Sequence, residues 1–421
     1  MTRRGEAGRR GKDVRSDCWI GVEIREAGGL EIALASKVAA LYETSIRRQL
    51  TAGMATLGVA HAAVQIDDQG AVPLVIDARL EAAVRRAWPA CPAQLLPAAR
   101  PAATGRAAGA RERLRRSRLY LPGNEPKFML GAALHGADGL ILDLEDSVAP
   151  AEKDAARVLV RNVLRVLDFR GAERMVRINQ AERGLEDLDW IVPHGVECVL
   201  VPKVESPAQV VAVRDRIEAI RAAQRVVAPV WLMPIVESAR GAWLAYEIAA
   251  AADTVVALAI GLEDYTADIG AERTIEGRES FWARAQVLNG ARAAGVQPID
   301  TVFSDVGDME GLRKSVEEAR SLGFVGKGCI HPRQIAVVHD AFAPPPESVA
   351  RAQKIVLAFE DAQARGLGAV ALGSKMIDPP VVKRAQATVA AAVAAGKLAA
   401  DWRRTADTAE VAAKKPEGKG P

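Results

Sequence analysis

Two carboxylate-bearing pairs close short apolar runs in the middle of the chain. The run 230–238 ends in Glu237-Ser238 and the run 255–264 in Glu263-Asp264. Carboxylates in that position sit where a strand gives way to a loop, and Glu237 and Asp264 on neighbouring strands come close enough to share one ion. Oxygen donors without a Cys/His cluster suit a hard cation, Mg²⁺ above all, which takes one or two carboxylates and leaves positions for water and substrate. Arg177, in the run 174–179, adds a planar fork able to bind a substrate carboxylate bidentately. Its alternative role is a rim salt bridge to Glu145 or Asp146, which close the run 139–146.

These residues need a frame that gathers strand ends. Short apolar, β-rich runs alternate with longer helical stretches at 118–123, 139–146, 174–179, 198–203, 230–238, 255–264, 296–305 and 328–333. Eight such runs favour a closed α/β architecture, the (β/α)₈ TIM barrel, over an open doubly wound sheet, and no Gly-rich dinucleotide fingerprint argues otherwise. In a barrel the polar residues at the run ends converge on one rim. Ahead of it, 16–88 reads as a small α+β domain. Cys18 to Ile24 and Leu30 to Leu34 form a hairpin around Gly28-Gly29, a helix follows to Gly58, 62–66 is a further strand, and Asp77 opens a second helix ending near Trp88. Residues 1–15 read as a mobile arm and 89–113, with four prolines, as a linker. The barrel domain is expected over 114–385, and 386–421 as a C-terminal helix and disordered tail.

Composition bounds the setting. The chain has 421 residues, a formal net charge of +3 and four widely spaced cysteines. That usage favours neither a disulfide framework nor a zinc site and fits a cytoplasmic protein. No apolar run is long enough to span a bilayer, and the excess arginine lies in the N-terminal segment and around 100–118 without an aromatic platform. Neither membrane nor nucleic acid is an expected partner.

Seven motifs carry a resemblance. Arg115-Arg116-Ser117-Arg118-Leu119-Tyr120-Leu121-Pro122-Gly123, Leu142-Asp143-Leu144-Glu145-Asp146-Ser147-Val148 and Val176-Arg177-Ile178-Asn179 are similar to the opening motifs of the citrate lyase beta subunit. Ile235-Val236-Glu237-Ser238, Gly261-Leu262-Glu263-Asp264-Tyr265, the segment from Asp300 to Asp305 and His331-Pro332-Arg333-Gln334-Ile335 continue the match in order. The resemblance implies a trimeric or hexameric barrel, Mg²⁺ on Glu237 and Asp264, and substrate held by Arg116, Arg177 and Glu237 with Glu145 and Asp146 behind them. It also implies retro-aldol cleavage of a citryl thioester to oxaloacetate and an acetyl thioester. Related lyases use a late Asp from a neighbouring subunit, and the segment from Gly373 to Asp378 resembles that region. Asp378 is therefore the implied acid/base, its other reading being a helix N-cap.

The N-terminal domain resembles the citrate lyase acyl-carrier (gamma) subunit, most clearly in Val64 to Ala71 and Ala78 to Ala82, and the malonate decarboxylase carrier is similar. Such carriers bear a phosphoribosyl-dephospho-CoA arm on a serine. The matching position is Arg15, and the nearby hydroxyl is Ser16. A citrate lyase alpha-type transferase subunit is the implied partner. Competing readings are a malyl-CoA or citramalyl-CoA lyase, a thioesterase on free CoA thioesters, and a non-catalytic carrier scaffold.

Overall fold

The computed structural model describes residues 3–100, 110–366, 370–372 and 375–403. The chain divides into two compact units, Met1–Ile335 and Ala336–Pro421.

The first unit opens with a four-stranded sheet of β1 (Arg3–Gly8), β2 (Cys18–Ile24), β3 (Leu30–Ser36) and β4 (Ala62–Asp68), in the order β1-β2-β4-β3. Helices α1 (Ala39–Thr56) and α2 (Pro73–Ala87) accompany it. Alternation along β2 and β4 turns Cys18, Ile20, Val22, Val64 and Ile66 into a core shared with Leu50, Met54 and Leu80. Three expectations change here. The hairpin does not form, because β4 inserts between β2 and β3, antiparallel to one and parallel to the other. Val64 and Ile66 thereby face Val22 and Ile20 on one side and Ile32 and Leu34 on the other, a more apolar set of neighbours than a two-stranded hairpin offers. Gly28 and Gly29, at φ 105° and 75°, carry the chain past the end of β4.

Second, part of the expected mobile arm is strand β1, paired with β2 along its whole length. It has almost no apolar residues to announce it. It is held by its ladder and by Gly5, where a Cβ would lie 2.2 Å from the carbonyl oxygen of Ala83 on α2. Third, α2 starts at Pro73 rather than Asp77, with proline in the first turn where its missing N–H costs nothing. The expected linker is also only partly one: Cys91 and Leu95 pack into the carrier-like core, and the Arg100 N–H donates to the carbonyl of Arg165. Residues 101–109 lie outside the described set.

The barrel follows with β5 (Ser117–Pro122), α3 (Pro126–Met129), β6 (Gly139–Asp143), α4 (Lys153–Val166), β7 (Glu173–Arg177), α5 (Ala181–Ile191), β8 (Cys198–Val201) and α6 (Pro207–Gln224). It continues through β9 (Trp231–Val236), α7 (Ala239–Trp243), α8 (Ala245–Ala249), β10 (Ala257–Ile260), α9 (Leu262–Asp268), α10 (Arg278–Ala293), β11 (Gln297–Asp300), α11 (Met309–Leu322), β12 (Gly326–Cys329) and α12 (Arg333–Phe342). The eight parallel strands close on themselves, β12 pairing with β5. Ile141, Met175, Leu200, Met233, Ile235, Ala259 and Ile299 fill the interior.

The carrier-like domain is docked on the barrel through buried charge. Arg161 of α4 donates to both oxygens of Glu81 on α2 at 3.0 and 2.8 Å and to the Leu95 carbonyl at 3.0 Å. Arg79 of α2 grips Asp17 at 2.9 and 2.8 Å and donates to the carbonyl of Asn124, just after β5, at 2.8 Å.

The second unit contains α13 (Pro346–Ala364), the short antiparallel pair β13 (Val370–Leu372) and β14 (Lys375–Ile377), and α14 (Pro379–Ala394). Val356, Ile377, Val382, Val389 and Trp402 form its core. The boundary between the two units falls within α12, after Ile335, and the last helix begins at Pro379. Residues 404–421 of the expected tail are outside the described set.

Candidate active site

The carboxyl ends of the barrel strands surround a cavity of about 470 Å³ lined by Arg118, Tyr120, Asp143, Asp146, Arg177, Glu237, Asp264 and Gly328 among others. Arg177 ends β7, and Asp143 ends β6 beside it. Both oxygens of Asp143 accept from Arg177, at 2.6 Å from Nε and 2.7 Å from Nη2. Nη1 lies 2.9 Å from Glu145 and 3.9 Å from Asp146. The rim salt bridge weighed as an alternative for Arg177 therefore exists, with Asp143 as the principal partner. The arginine also lies over the Tyr120 ring, 5.3 Å from its centroid. Burial would raise the Asp143 carboxyl, but the Arg177 guanidinium outweighs it and holds it below the usual range. Glu145 moves the other way: burial raises it and Asp146 adds to the rise against Arg177.

Glu237, the residue after β9, is buried, and its Oε2 accepts from the Lys203 N–H at 2.8 Å. Its other oxygen rests on Gly261, where a Cβ would lie 2.5 Å from it, so a side chain there would push the Glu237 carboxylate aside. Lys203 has a positive φ of 49°, a sparsely populated conformation for a side chain-bearing residue. That geometry places its backbone N–H on Glu237 while its ammonium lies 3.2 Å from Asp264, 3.4 Å from Asp146 and 3.5 Å from Glu145.

Charge is out of balance around Glu237. Among the described residues it has no ion-pair partner, and burial, with Glu145 and Asp264 near, pushes its carboxyl up to about 7. A cation beside Glu237 and Asp264 would supply the missing charge. Among the described residues no group of three or more His, Cys, Asp or Glu converges as a protein cage. Two carboxylates with room for water and substrate is the pattern of Mg²⁺ rather than of a closed structural site. The donor set therefore fits the ion read from the sequence.

Other expected residues fall elsewhere. Arg116 is not in the cavity. It precedes β5, and its backbone N–H and guanidinium bind Asp138, which precedes β6, at 2.9 Å each. Both therefore sit at the opposite mouth of the barrel. The arginine of that motif that does line the cavity is Arg118. Asp378 belongs to the second unit, where it caps α14 by accepting from the Val381 N–H at 3.2 Å; the preceding Gly373 and Ser374 are outside the described residues. Ser16 sits at φ 55°, half-buried, immediately before the buried Asp17–Arg79 pair that reaches the loop after β5. Lys203 closes the run 198–203 and is expected at the rim, where it lies; Arg118 and Tyr120 have no site role assigned from sequence. Strand alternation carries the signal for these two, since Arg118, Tyr120 and Pro122 all line the cavity at a spacing of two.

Residues 116–332 match the HpcH/HpaI aldolase/citrate lyase family. The chain belongs to that family. This family member is 39% identical over 278 residues to citrate lyase subunit beta of Leuconostoc mesenteroides subsp. cremoris, covering 65% of this chain and 92% of that one. It is 35% identical over 288 residues to the mitochondrial citramalyl-CoA lyase of Homo sapiens, covering 65% and 84%. Among solved structures, protein CitE from Mycobacterium tuberculosis in complex with magnesium, acetoacetate and coenzyme A superposes with a TM-score of 0.56 at 34% identity, over 66% of this chain and 98% of that one. Residues 9–87 match the ACP family described as malonate decarboxylase delta subunit. The chain is a lyase of the HpcH/HpaI aldolase/citrate lyase family fused to an acyl-carrier-type domain, as the resemblance implied.

Proposed function

We propose that the barrel cleaves a citryl thioester, carried on the protein or on CoA, to oxaloacetate and an acetyl thioester with Mg²⁺ bound by Glu237 and Asp264. The observation that carries this reading is the buried Glu237, without an ion-pair partner among the described residues, lining one cavity with Asp264 and Arg177. In the cleavage the hydroxyl loses its proton, the bond between the carbinol carbon and the thioester-side methylene breaks, and the electron pair passes into a thioester enolate that is protonated on carbon. Mg²⁺, when bound, supplies Lewis-acid polarisation of the hydroxyl and its neighbouring carboxylate. Arg177, fixed by Asp143, places positive charge where the negative charge develops. Lys203 holds Asp264 and Glu145 in register. Asp378 of a neighbouring subunit is our candidate for the proton transfers, in keeping with its match to the late aspartate of related lyases.

Ser16 is the proposed attachment point of a phosphoribosyl-dephospho-CoA arm, supported by its place beside the Asp17–Arg79–Asn124 link to the barrel rim. An alpha-type transferase subunit would exchange the acyl group on that arm. The exposed aromatics Trp243, Tyr246, Phe281 and Trp282 on α7, α8 and α10 support a homo-oligomer, a trimer or hexamer. A cytoplasmic setting is favoured by four buried cysteines, all unpaired; among the described residues no helix is long and apolar enough to cross a membrane.

The test is a citryl-CoA cleavage assay with Mg²⁺ or with EDTA, on the wild type and on Glu237→Gln and Asp264→Asn. Each substitution removes a ligand charge while keeping shape, and activity is expected to vanish in all three perturbations with folding intact. Full activity in EDTA sinks the metal role.

A further inference from the structure

Among the described residues, Arg118 is a buried cation without a counter-ion. It lies on β5 with 2% of its surface exposed and lines the cavity. It forms no salt bridge with any of them. Nη1 donates to the Met233 Sδ at 3.3 Å, Nη2 meets the Asp300 carbonyl at 3.5 Å, and Nε has no partner. The carboxylate of Asp300 is already taken by Lys327 and Arg284. The ionisable groups that Arg118 feels are Tyr120, Cys329, Cys198 and Arg115. Burial raises Tyr120 and Cys198 and pushes Cys329 up to about 12, so none of them brings negative charge near neutrality. A guanidinium withdrawn from water with one N–H orphaned is strongly disfavoured unless an anion joins it.

We propose that Arg118 is an anion subsite that binds the second carboxylate of the acyl group, making it the residue that selects a citryl thioester over malyl or citramalyl thioesters. This deepens the lyase reading given above and rests on it for the identity of the reacting end. Next to Arg118 along the inward face of β5 is Tyr120, whose ring lies beneath Arg177. The cavity thus holds two arginines of different standing. Arg177 is paired with Asp143 and Glu145, and Arg118 has no carboxylate among the described residues. A citryl group differs from a citramalyl group by a CH₂–COO⁻ arm in place of a methyl, and the matching products are oxaloacetate and pyruvate. With the shared hydroxy-acid end at Glu237, Asp264 and Arg177, the extra carboxylate is the group that Arg118 lacks.

The experiment measures oxaloacetate and pyruvate affinity by calorimetry on the full chain with Mg²⁺, and kcat/KM for citryl-CoA and citramalyl-CoA, in the wild type, Arg118→Met and Arg118→Lys. The wild type is expected to prefer oxaloacetate. Arg118→Met should reduce that preference on the order of 10- to 100-fold, as for loss of a buried charge-assisted hydrogen bond, with pyruvate affinity retained, and Arg118→Lys should restore part of it. Met matches the neighbouring Met233 in character and removes a buried charge, so ligand-free Tm should hold or rise. Should the variant not fold, wild-type Tm in oxaloacetate against pyruvate reads the same preference. An unchanged oxaloacetate-to-pyruvate ratio in Arg118→Met, or equal loss of both ligands, overturns the subsite. Wild-type protein that cleaves neither thioester while keeping an Arg118-dependent oxaloacetate preference refutes the lyase reading and leaves the subsite standing.

Discussion

Replacing Arg161 by Met should loosen the carrier-like domain from the barrel. Arg161 and Glu81 are both fully buried and joined by two hydrogen bonds, and Arg161 also donates to the Leu95 carbonyl and, at 3.0 Å, to Asn162 Oδ1. Removing one partner of such a pair costs about 3–5 kcal/mol, because the other charge stays buried and uncompensated. Glu81 would keep Arg85 at 2.9 Å and the Leu95 N–H at 2.7 Å, so the lower end, about 3 kcal/mol, is expected. That corresponds to a fall in Tm on the order of 5–10 °C. Differential scanning calorimetry would read it, with hydrogen exchange of the Arg100 amide as a local probe, since that N–H donates to the Arg165 carbonyl. The double variant Arg161→Met with Glu81→Leu should recover most of the loss, since an apolar pair replaces the ionic one. A single variant within 1 °C or so of wild type, or a double variant no better than the single, would show that the domains are not locked by this pair.

Two further outcomes follow from the same contacts. Asp143→Asn keeps the shape of the group that orients Arg177 but removes its charge. A loss in kcat on the order of 10²-fold with Mg²⁺ affinity retained is expected, and an unchanged kcat in steady-state kinetics would count against Asp143 as the positioning residue. Mass spectrometry of the Ser16 tryptic peptide from the native host should show a phosphoribosyl-dephospho-CoA adduct that Ser16→Ala lacks. An unmodified peptide, in a host that modifies its other carriers, assigns the barrel to free CoA thioesters.

Much of this was legible because barrel strands announce themselves. The runs that became β5 to β12 are short, apolar and closed by polar residues, and the register of parallel strands sets Gly261, just past β10, beside Glu237, with Asp264 following in the first turn of α9. What failed was whatever depends on partners distant in sequence. Strand β1 has an unremarkable, charged sequence and is defined by its ladder to β2 and its fit against α2. Local sequence favours a β2–β3 hairpin, but β4 pairs with both strands, its apolar face satisfying both neighbours. Arg116 and Arg118 share a motif and differ by one strand period, yet the first binds Asp138 outside the barrel mouth and the second reaches the cavity. Lys203 is placed at the rim by the end of its run, but its role depends on a left-handed backbone that points amide and ammonium at different carboxylates.

The most direct test of Mg²⁺-dependent carbon–carbon cleavage is product identification from citryl-CoA by mass spectrometry, with Mg²⁺ present. Equimolar oxaloacetate and acetyl-CoA, absent in EDTA and in Glu237→Gln, is the expected result; citrate with free CoA, or no turnover at all, would contradict it.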